Sequence, residues 1–588
     1  MGIYFVDARC MTSKNTALEY IKSALRLSEC CGNTLSSVSD CLHELPQHSI
    51  VWLAAYDTIE ATLEDYGNSV IQIFKEASQK GLIDLELVPS SVLSNEIEAF
   101  VKKMAYVELP NSRITILSMV GEGCPGIEEF NKPGYPPTVR IIFESSFGPD
   151  SNIKNALWLP KEWNGELIGQ GNGGYGGTLC SQYWTHTLKG FATVETDMGT
   201  SRLQNDEISH FSFDMLKDYS WRATHIMTVV AKLLIEQYYG RPPDRSFFTG
   251  SSAGGLQAYT EAQRYPEDYD GIFAGVPSNN VLNYHIYNIW LYQKLIKSDG
   301  KHRFYCEDAE RIHKCAVEFF RKRGDGEEGD DFITFPYIDQ NTVDDLILYI
   351  KECIPEFAEE QLQALREVYN GPVHAKTGVQ LFSGLPIGAE IHCNYMVKDM
   401  DYPVCGNKWL DPYFGSGFDL KNFDFADDYD RVFVDLAPYF GANNADLSEF
   451  MKRGGKLLSY SGAADRAGPF ADTLKYYNRV CEKLGGYEKV SKFFRHFTLP
   501  GKAHGNNGRG ANVYWGKDET QSILETLRQW CITEVPPKYL TVAHEIKDDE
   551  SVRYSFIRRV YPYRADLEEG KGFPKSTDEK YLNVQQRE

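Results

Sequence analysis

Hydrophobic residues recur at two different spacings along the chain. In the first hundred residues they lie three and four positions apart, as in Ala17 to Leu25 and in Val70 to Ala77. That spacing is typical of amphipathic helices. We therefore predict a mainly helical N-terminal extension over residues 1–106, and it carries no motif that indicates chemistry.

After residue 107 the pattern changes to short apolar runs separated by turn residues, and several of these runs alternate with helical stretches. The predicted strands cover 113–117, 138–144, 166–169, 190–196, 246–249, 271–276, 455–460 and 493–499, and the predicted helices cover 221–239, 255–265, 470–484 and 521–530. Strands that alternate with helices favour an α/β fold with a largely parallel sheet. We assign the two parts of this core to 107–280 and to 441–588, the second including a C-terminal tail.

The alternation lapses between the two parts of the core. Residues 281–440 are rich in aromatic and acidic side chains, and no strand pattern interrupts them. An insertion of this size within an α/β domain is most simply a lid over a site. We therefore predict an inserted lid domain over 281–440.

Composition narrows the range of partners. The chain has 82 acidic and 61 basic residues, for a net charge of −21. This balance argues against nucleic acid or an anionic membrane as a partner, because both need basic patches. No apolar run approaches the roughly 20 residues of a membrane span. The oligomeric state stays open.

The N-terminus and the cysteines indicate the cellular compartment of the protein. Residues 1–14 mix charged and apolar side chains and lack the pattern of a secretory signal. The 13 cysteines are an odd number and show no zinc spacing. We expect reduced thiols in an intracellular, cytoplasmic protein.

The strongest chemical signal is the pentapeptide Gly250 to Gly254, which has the form G-x-S-x-G. It follows a predicted strand and precedes a predicted helix, with Ser252 at the turn. Such a turn presents a nucleophilic serine at the end of a sheet, and its glycines permit the close approach of neighbouring backbone. We therefore predict that Ser252 is a catalytic nucleophile.

A nucleophilic serine needs an acid and a histidine, which follow it in the order Ser, Asp, His in hydrolases of this kind. Asp465 and His504 each lie in a loop just after a predicted strand, in that order. His504 would take the proton of Ser252, and Asp465 would orient the imidazole. The nearest competitors are worse placed, because Asp472 falls within a helix pattern and His496 within a strand.

The tetrahedral intermediate of acyl transfer also needs hydrogen-bond donors for its oxyanion. One predicted donor is the backbone N–H of Ala253. The glycine-rich loop Gly171 to Gly177 would supply the other from Gly173 or Gly174.

The same loop allows a different interpretation. Gly171, Gly173 and Gly176 form G-x-G-x-x-G after a strand, and Asp197 follows at the distance typical of a dinucleotide site. A nucleotide site leaves Ser252 and its two predicted partners without a role, so we favour the hydrolase.

These residues resemble the tannase and feruloyl esterase family of serine esterases. The stretches that carry the resemblance are Trp163 to Gly165, Gly171 to Gly177, Gly190 to Gly199, Arg222 to His225, Tyr238 to Arg241, Gly254 to Gln257, Glu261 to Gly271, Gly275 to Pro277, Tyr369 to Pro372, Gly455 to Asp465, and Pro500 to His504. The resemblance spans about 107–565. It implies an α/β-hydrolase core with an inserted lid, the triad Ser252, Asp465 and His504, and hydrolysis of esters of aromatic acids such as ferulate or gallate.

The chain departs from the family at two linked positions. Family members carry cysteines beside the catalytic serine and histidine, joined by a disulfide. Here those positions are Ser251 and Gly505. Both cysteines of the family disulfide are therefore absent together, as expected if the bridge was lost as a unit in a reducing compartment.

The resemblance further implies a calcium ion on an acidic loop of the lid, and no other cofactor. The nearest segment offers Asp325, Glu327, Asp330 and Asp331 as oxygen ligands. Their spacing departs from the family pattern, and a solvated acidic loop is the alternative.

The leading hypothesis is a serine carboxylic ester hydrolase that acts through an acyl-enzyme on a small aromatic or phenolic ester. An acyltransferase or a lactone- or ring-forming enzyme of a biosynthetic pathway would share that intermediate and differ only in the acceptor. A catalytically silent binding protein would keep the fold without the reaction.

Overall fold

The computed structural model divides into two compact units. The described residues are 3–28, 31–46, 49–88, 100, 103, 107–122, 133–179, 183–207, 210–336, 341–397, 407–415, 417–505, 508–514, 522–547 and 552–566. The first unit comprises Met1–Gln170, Gly177–Ser201 and Arg222–Ser246, and the second comprises Gly171–Gly176, Arg202–Trp221 and Phe247–Glu588.

The strands and helices are numbered in chain order. The strands are β1 (Ile3–Asp7), β2 (Ile50–Ala54), β3 (Asp84–Val88), β4 (Ser112–Val120), β5 (Thr138–Ser145), β6 (Ile153–Pro160), β7 (Glu166–Gln170), β8 (Ala192–Thr196), β9 (Arg245–Ser251), β10 (Gly271–Gly275), β11 (Lys456–Gly462), β12 (Phe494–Leu499), β13 (Val513–Tyr514), β14 (Leu540–Lys547) and β15 (Val552–Val560). The helices are α1 (Lys14–Leu25), α2 (Leu35–Cys41), α3 (Tyr56–Leu63), α4 (Asp65–Gln79), α5 (Tyr183–Thr187), α6 (Ser201–Gln204), α7 (Phe213–Lys217), α8 (Ala223–Tyr239), α9 (Ala253–Arg264), α10 (Val281–Leu295), α11 (Cys306–Lys322), α12 (Thr342–Cys353), α13 (Glu359–Asn370), α14 (Asn394–Val397), α15 (Asn407–Phe414), α16 (Asp427–Leu436), α17 (Ser448–Lys452), α18 (Phe470–Leu484), α19 (Tyr487–Val490) and α20 (Ile523–Thr533).

The N-terminal segment has more helical than strand residues, and it also contains a small parallel sheet that the sequence pattern did not indicate. Helices α1 and α4 match the predicted helical stretches, but β1, β2 and β3 form a parallel sheet in that order. Ile21, Val51 and Phe74 are fully buried in the shared core. The strands escaped prediction because a five-residue apolar run fits a buried strand or a helix equally well.

The remaining strands of the first unit are ordered β7-β8-β6-β5-β4. Only β7 and β8 pair in parallel, whereas β4, β5 and β6 are antiparallel. The prediction of a largely parallel sheet is therefore wrong for this part. A seven-residue connection after Ser145 suffices to join β5 to β6, because antiparallel strands need no crossover helix.

The second unit contains four strands that all pair in parallel, in the order β12-β11-β10-β9. Here the predicted parallel pairing is confirmed. Phe273 pairs with Thr249 on one side and with Leu458 on the other. The carboxyl ends of these strands therefore lie side by side, which is where α/β proteins place their functional loops.

Strands β10 and β11 are neighbours in space although about 180 residues separate them along the chain. Helices α10 to α17 lie in that interval, and α10 to α14 contribute to a hydrophobic core that includes Tyr287, Ile312 and Leu365. The predicted insertion is thus helical, while its role as a lid stays a prediction.

The last strands, β13, β14 and β15, form a separate antiparallel sheet in the second unit. No helix within the described ranges combines the length and the hydropathy needed to cross a membrane.

Candidate active site

Ser252 lies at the turn between β9 and α9. Its backbone adopts φ 61° and ψ −117°, a conformation that residues other than glycine rarely take. The N–H of Ser252 donates to the carbonyl of Gly275 at 3.0 Å, which fixes the turn against the neighbouring strand. The strained turn therefore holds the hydroxyl out from the end of the sheet.

Three glycines make this turn possible. A Cβ at Gly250 would lie 2.4 Å from the carbonyl oxygen of Gly254. A Cβ at Gly171 would lie 2.8 Å from Cα of Gly254 and 3.0 Å from Cα of Gly250. Backbone meets backbone here, so Gly171, the first glycine of the dinucleotide pattern, serves the close packing of this turn.

The structure brings the three predicted catalytic side chains together. Nε2 of His504 lies 3.1 Å from Oγ of Ser252, and Nδ1 lies 2.9 Å from Oδ2 of Asp465. Both distances are within hydrogen-bonding range, so a proton can pass from Ser252 to His504 while Asp465 holds the ring.

Asp465 is fully buried after β11, and its second oxygen accepts from the backbone N–H groups of Ala467 and Gly468 at 2.8 and 3.1 Å. Burial of the imidazole lowers the pKa of His504, but the Asp465 carboxylate outweighs that effect and raises the pKa above its ordinary value. The pair thus stabilises the protonated imidazole that forms after proton transfer.

The predicted oxyanion donors lie around the same turn. Ala253 begins α9, and the first N–H groups of a helix have no partner within it. Asn172 connects the glycine loop to α9, since its carbonyl accepts from Gly254 at 2.7 Å and its N–H donates to Gln257 at 2.8 Å. Within the described ranges no acceptor contacts the N–H of Gly173 or Gly174.

Tyr219 supports the glycine loop and was missed in the sequence. Its hydroxyl donates to the carbonyl of Gly174 at 3.2 Å, and Gly174 has a φ of +57°. Tyr219 lies in a π-helical turn, Asp218–Arg222, between α7 and α8. Such turns recur at functional sites, but they cannot be predicted from a sequence pattern.

An aromatic cluster adjoins the glycine loop. Tyr175 stacks on His285 with centroids 6.0 Å apart and meets the edge of Phe211 at 5.8 Å. Tyr219 and Phe440 complete the cluster, which is buried except at Tyr175. Of these rings, Tyr175 alone keeps partly exposed surface that a planar apolar group could contact.

The competing sequence candidates have structural roles. His496 is buried between the hydroxyls of Ser459 and Ser461 at 2.7 and 3.0 Å, and burial lowers its pKa to about 3. Asp472 is half-buried and accepts from the N–H of Ser383 at 2.9 Å. Neither contacts Ser252.

Asp197, the acidic residue of the dinucleotide alternative, is also engaged. It accepts from the N–H groups of Lys154 and Gly199 at 2.9 and 2.8 Å, and burial raises its pKa to about 6. A carboxylate that already accepts hydrogen bonds from backbone N–H groups of the protein is poorly suited to bind a ribose.

The four carboxylates proposed for calcium do not fit that ion as they are placed. Asp330 receives two bonds from the guanidinium of Arg558, at 2.5 and 2.8 Å. Asp325 accepts from the N–H groups of Thr334 and Phe335 at 2.8 and 2.9 Å. Asp331 faces Arg509 at 3.6 Å, and the backbone of Glu327 donates to the Asp330 carboxylate at 3.0 Å and accepts from the N–H of Asp330 at 3.1 Å. Among the described residues no three His, Cys, Asp or Glu side chains converge as a metal site.

Comparison with known proteins finds relatives that match most of the chain. The sequence model of the family described as tannase and feruloyl esterase matches residues 140–337 and 351–580. A probable feruloyl esterase B-2 of Aspergillus fumigatus is 26% identical over 521 residues, which cover 82% of this chain and 96% of the relative. Feruloyl esterase C of Talaromyces stipitatus is 25% identical over 512 residues, covering 80% and 91%.

Solved structures share the fold. Feruloyl esterase B from Aspergillus oryzae superposes with a TM-score of 0.65 at 22% identity, covering 80% of this chain and 95% of that one. The tannin acyl hydrolase from Aspergillus niger gives a TM-score of 0.56 at 15% identity, covering 80% and 92%. The fold is an α/β-hydrolase fold.

Proposed function

The chain belongs to the tannase and feruloyl esterase family and is a carboxylic ester hydrolase, and we propose that it cleaves esters of phenolic acids through an acyl-enzyme on Ser252. The observation that carries the proposal is the hydrogen-bonded row from Asp465 through His504 to Ser252. An isolated serine hydroxyl is a weak nucleophile, and this row is what activates it.

The first half of the reaction forms the acyl-enzyme. Oγ of Ser252 attacks the ester carbon while its proton moves to Nε2 of His504. The resulting oxyanion accepts hydrogen bonds from the N–H of Ala253 and from the Gly173–Gly174 segment. As the intermediate collapses, the alcohol leaves with the proton from His504.

The second half releases the acid. Water attacks the acyl carbon and gives its proton to His504, and the second intermediate expels Oγ of Ser252, which recovers that proton. Asp465 stays ionised throughout and holds the imidazole in one tautomer. Free acid and regenerated enzyme result.

The aromatic cluster beside the glycine loop supports a phenolic acyl group. Tyr175 is the partly exposed member, and it lies two residues from Gly173 in the same loop. An aromatic ring packed against Tyr175 would have its ester carbonyl near the proposed oxyanion donors. Related proteins are named as feruloyl esterases and as a tannin acyl hydrolase, which agrees with such substrates.

A fluorophosphonate probe tests the nucleophile. We expect the wild-type protein to be labelled once, on Ser252, and the Ser252→Ala variant to remain unlabelled. Ser69→Ala, on the exposed face of α4, is the matched control and should label as the wild type does. Equal labelling of the Ser252→Ala variant would refute the proposal.

A matched substrate pair tests the acyl preference. Methyl ferulate and methyl gallate should be hydrolysed with a higher kcat/KM than a methyl ester of an aliphatic acid of similar size. Release of free acid, with no ester of an added alcohol, identifies hydrolysis as the reaction. A preference for the aliphatic ester would remove the role of the aromatic cluster.

A further inference from the structure

Lys502 lies two residues before His504 and is almost entirely buried, with 3% of its surface exposed. Its backbone carbonyl accepts from the N–H of Ala464 at 3.0 Å, beside the buried Asp465. A Cβ at Gly462 would lie 2.3 Å from that carbonyl oxygen, so the two loops are in close contact. The main chain of Lys502 thus joins the histidine loop to the loop of the acid.

The side chain of Lys502 reaches past His504. Its Nζ donates to the carbonyl of Gly505 at 2.6 Å and lies 5.9 Å from the centroid of the Tyr460 ring. A charge-assisted hydrogen bond of this length is among the stronger polar contacts in proteins. The residue that follows His504 is therefore held from within the protein.

Tyr460 continues the connection to the nucleophile turn. Its ring adjoins Ser251, the neighbour of Ser252, beside Gly275 of β10. Ser251 and Tyr460 both pack on Gly275, where an added Cβ would lie 2.4 Å from Oγ of Ser251 and 2.9 Å from a Tyr460 ring carbon. Ser251, Tyr460, Lys502 and Gly505 thus form a continuous series of contacts, which we call the Lys502 link.

Burying an ammonium is costly, which argues that this lysine serves more than packing. Burial lowers the pKa of Lys502 to about 8, although the nearby Asp465 carboxylate has the opposite effect and raises this pKa. The side chain remains mostly protonated at neutral pH and keeps its donors. An apolar residue of similar length would fill the same space at lower cost.

We propose that Lys502 is a positioning residue that holds the His504 loop in reach of Ser252. The Lys502 link joins the two positions, Ser251 and Gly505, at which the family resemblance places a disulfide. It performs noncovalently the task of that covalent bridge, and it does so without needing an oxidising compartment. The inference rests on the proposed roles of Ser252 and His504.

Lys502→Met tests the link, because methionine keeps the length of the side chain and removes the charge and the donors. A histidine displaced by about 1 Å costs on the order of 100-fold in rate, so we expect kcat to fall by about that factor. KM should stay within about two-fold, because no substrate contact is lost. The rate of fluorophosphonate labelling should fall in parallel with kcat.

Lys456→Met is the matched control. Lys456 is also buried, with 5% exposed, and its Nζ also donates to a backbone carbonyl, that of Gly454 at 2.8 Å. It lies at the opposite end of β11 from Asp465, so its loss should affect stability without affecting labelling. If Lys502→Met lowers kcat and labelling no more than Lys456→Met does, the inference is wrong.

A covalent replacement gives an independent test, and it serves if Lys502→Met alone does not fold. The triple variant Ser251→Cys, Lys502→Met, Gly505→Cys is oxidised with glutathione disulfide, and the bridge is verified by mass. Activity should return with the bridge and be lost on reduction. A verified bridge without recovery would overturn the inference.

The two proposals fail in different ways. If the wild-type protein does not label on Ser252, the proposed function fails. If it labels there and Lys502→Met labels at the same rate, only the role of Lys502 fails.

Discussion

His504 can accept a proton from Ser252 only when its imidazole is neutral. The Asp465 carboxylate raises the pKa of His504 above its ordinary value of 6.5 despite the opposing effect of burial. Activity therefore rises as pH increases through that raised pKa, and it falls as acid protonates the ring. One buried carboxylate sets both the orientation and the working pH of the base.

Asp465→Asn separates these two effects. We expect kcat to fall by about 10⁴-fold, because the amide favours the wrong tautomer of His504. The midpoint of the rise in kcat/KM with pH should move to lower pH, since the charge that raises the pKa is gone. A pH–rate profile of the variant measures both, and an unmoved midpoint would contradict the assignment of Asp465.

Tyr219→Phe tests the support of the oxyanion loop. Loss of the hydrogen bond to Gly174 should lower kcat by about ten-fold with little change in KM, because the loop binds charge that develops only in the transition state. Tyr239→Phe is the control, since its hydroxyl also donates to a backbone carbonyl, that of Pro160 at 2.6 Å. Equal kinetic effects in the two variants would indicate general destabilisation.

Strand β9, helix α9 and the glycine loop after β7 form one close-packed element around Ser252. Its geometry depends on missing side chains, since backbone atoms of Gly171, Gly250 and Gly254 approach within the distance a Cβ would occupy. The motif and the loop are far apart in sequence, yet each requires the glycines of the other.

Gly171→Ala should therefore lower stability by about 1–3 kcal/mol, the usual cost of forcing an atom into a packed site. Gly173→Ala is the matched comparison, because a Cβ there meets nothing within 4 Å and its φ is not left-handed. Thermal unfolding of the two variants measures the difference, and equal melting temperatures would show that the approach at Gly171 is not tight.

The helical insertion and the C-terminal sheet are joined by a buried ion pair within the second unit. Arg558 on β15 is 12% exposed and Asp330 is 8% exposed, and they form two hydrogen bonds. Because the carboxylate is already neutralised by an arginine, it has little to offer a calcium ion.

Arg558→Met should destabilise the protein by about 3–5 kcal/mol, because it leaves the Asp330 carboxylate buried and unpaired. Arg564→Met, which breaks the more exposed pair with Asp566, should cost at most about 1 kcal/mol. Calcium or a chelator should leave the melting temperature of the wild-type protein unchanged. A rise in melting temperature with calcium would show that the loop binds the ion after all.

Much of the core follows from local patterns. The predicted helix over 470–484 has the bounds of α18, and the strands before Ser252, Asp465 and His504 lie where the apolar runs put them. The triad candidates could be chosen because each follows a strand in the parallel part of the sheet, so adjacent carboxyl ends bring distant residues together. The resemblance to a known family rests on the same residues.

Other features depend on contacts between residues far apart in the chain. The three-stranded parallel sheet at the N-terminus and the antiparallel pairing of β4 to β6 depend on which runs meet, and an apolar run does not encode its partner. Asp330 is hydrogen-bonded to Arg558, which lies 228 residues away in the sequence, and Tyr219 is hydrogen-bonded to Gly174, which lies 45 residues away. Local patterns therefore predict which residues can react, while only tertiary packing decides what holds them in position, because a side chain's partner is set by the fold around it.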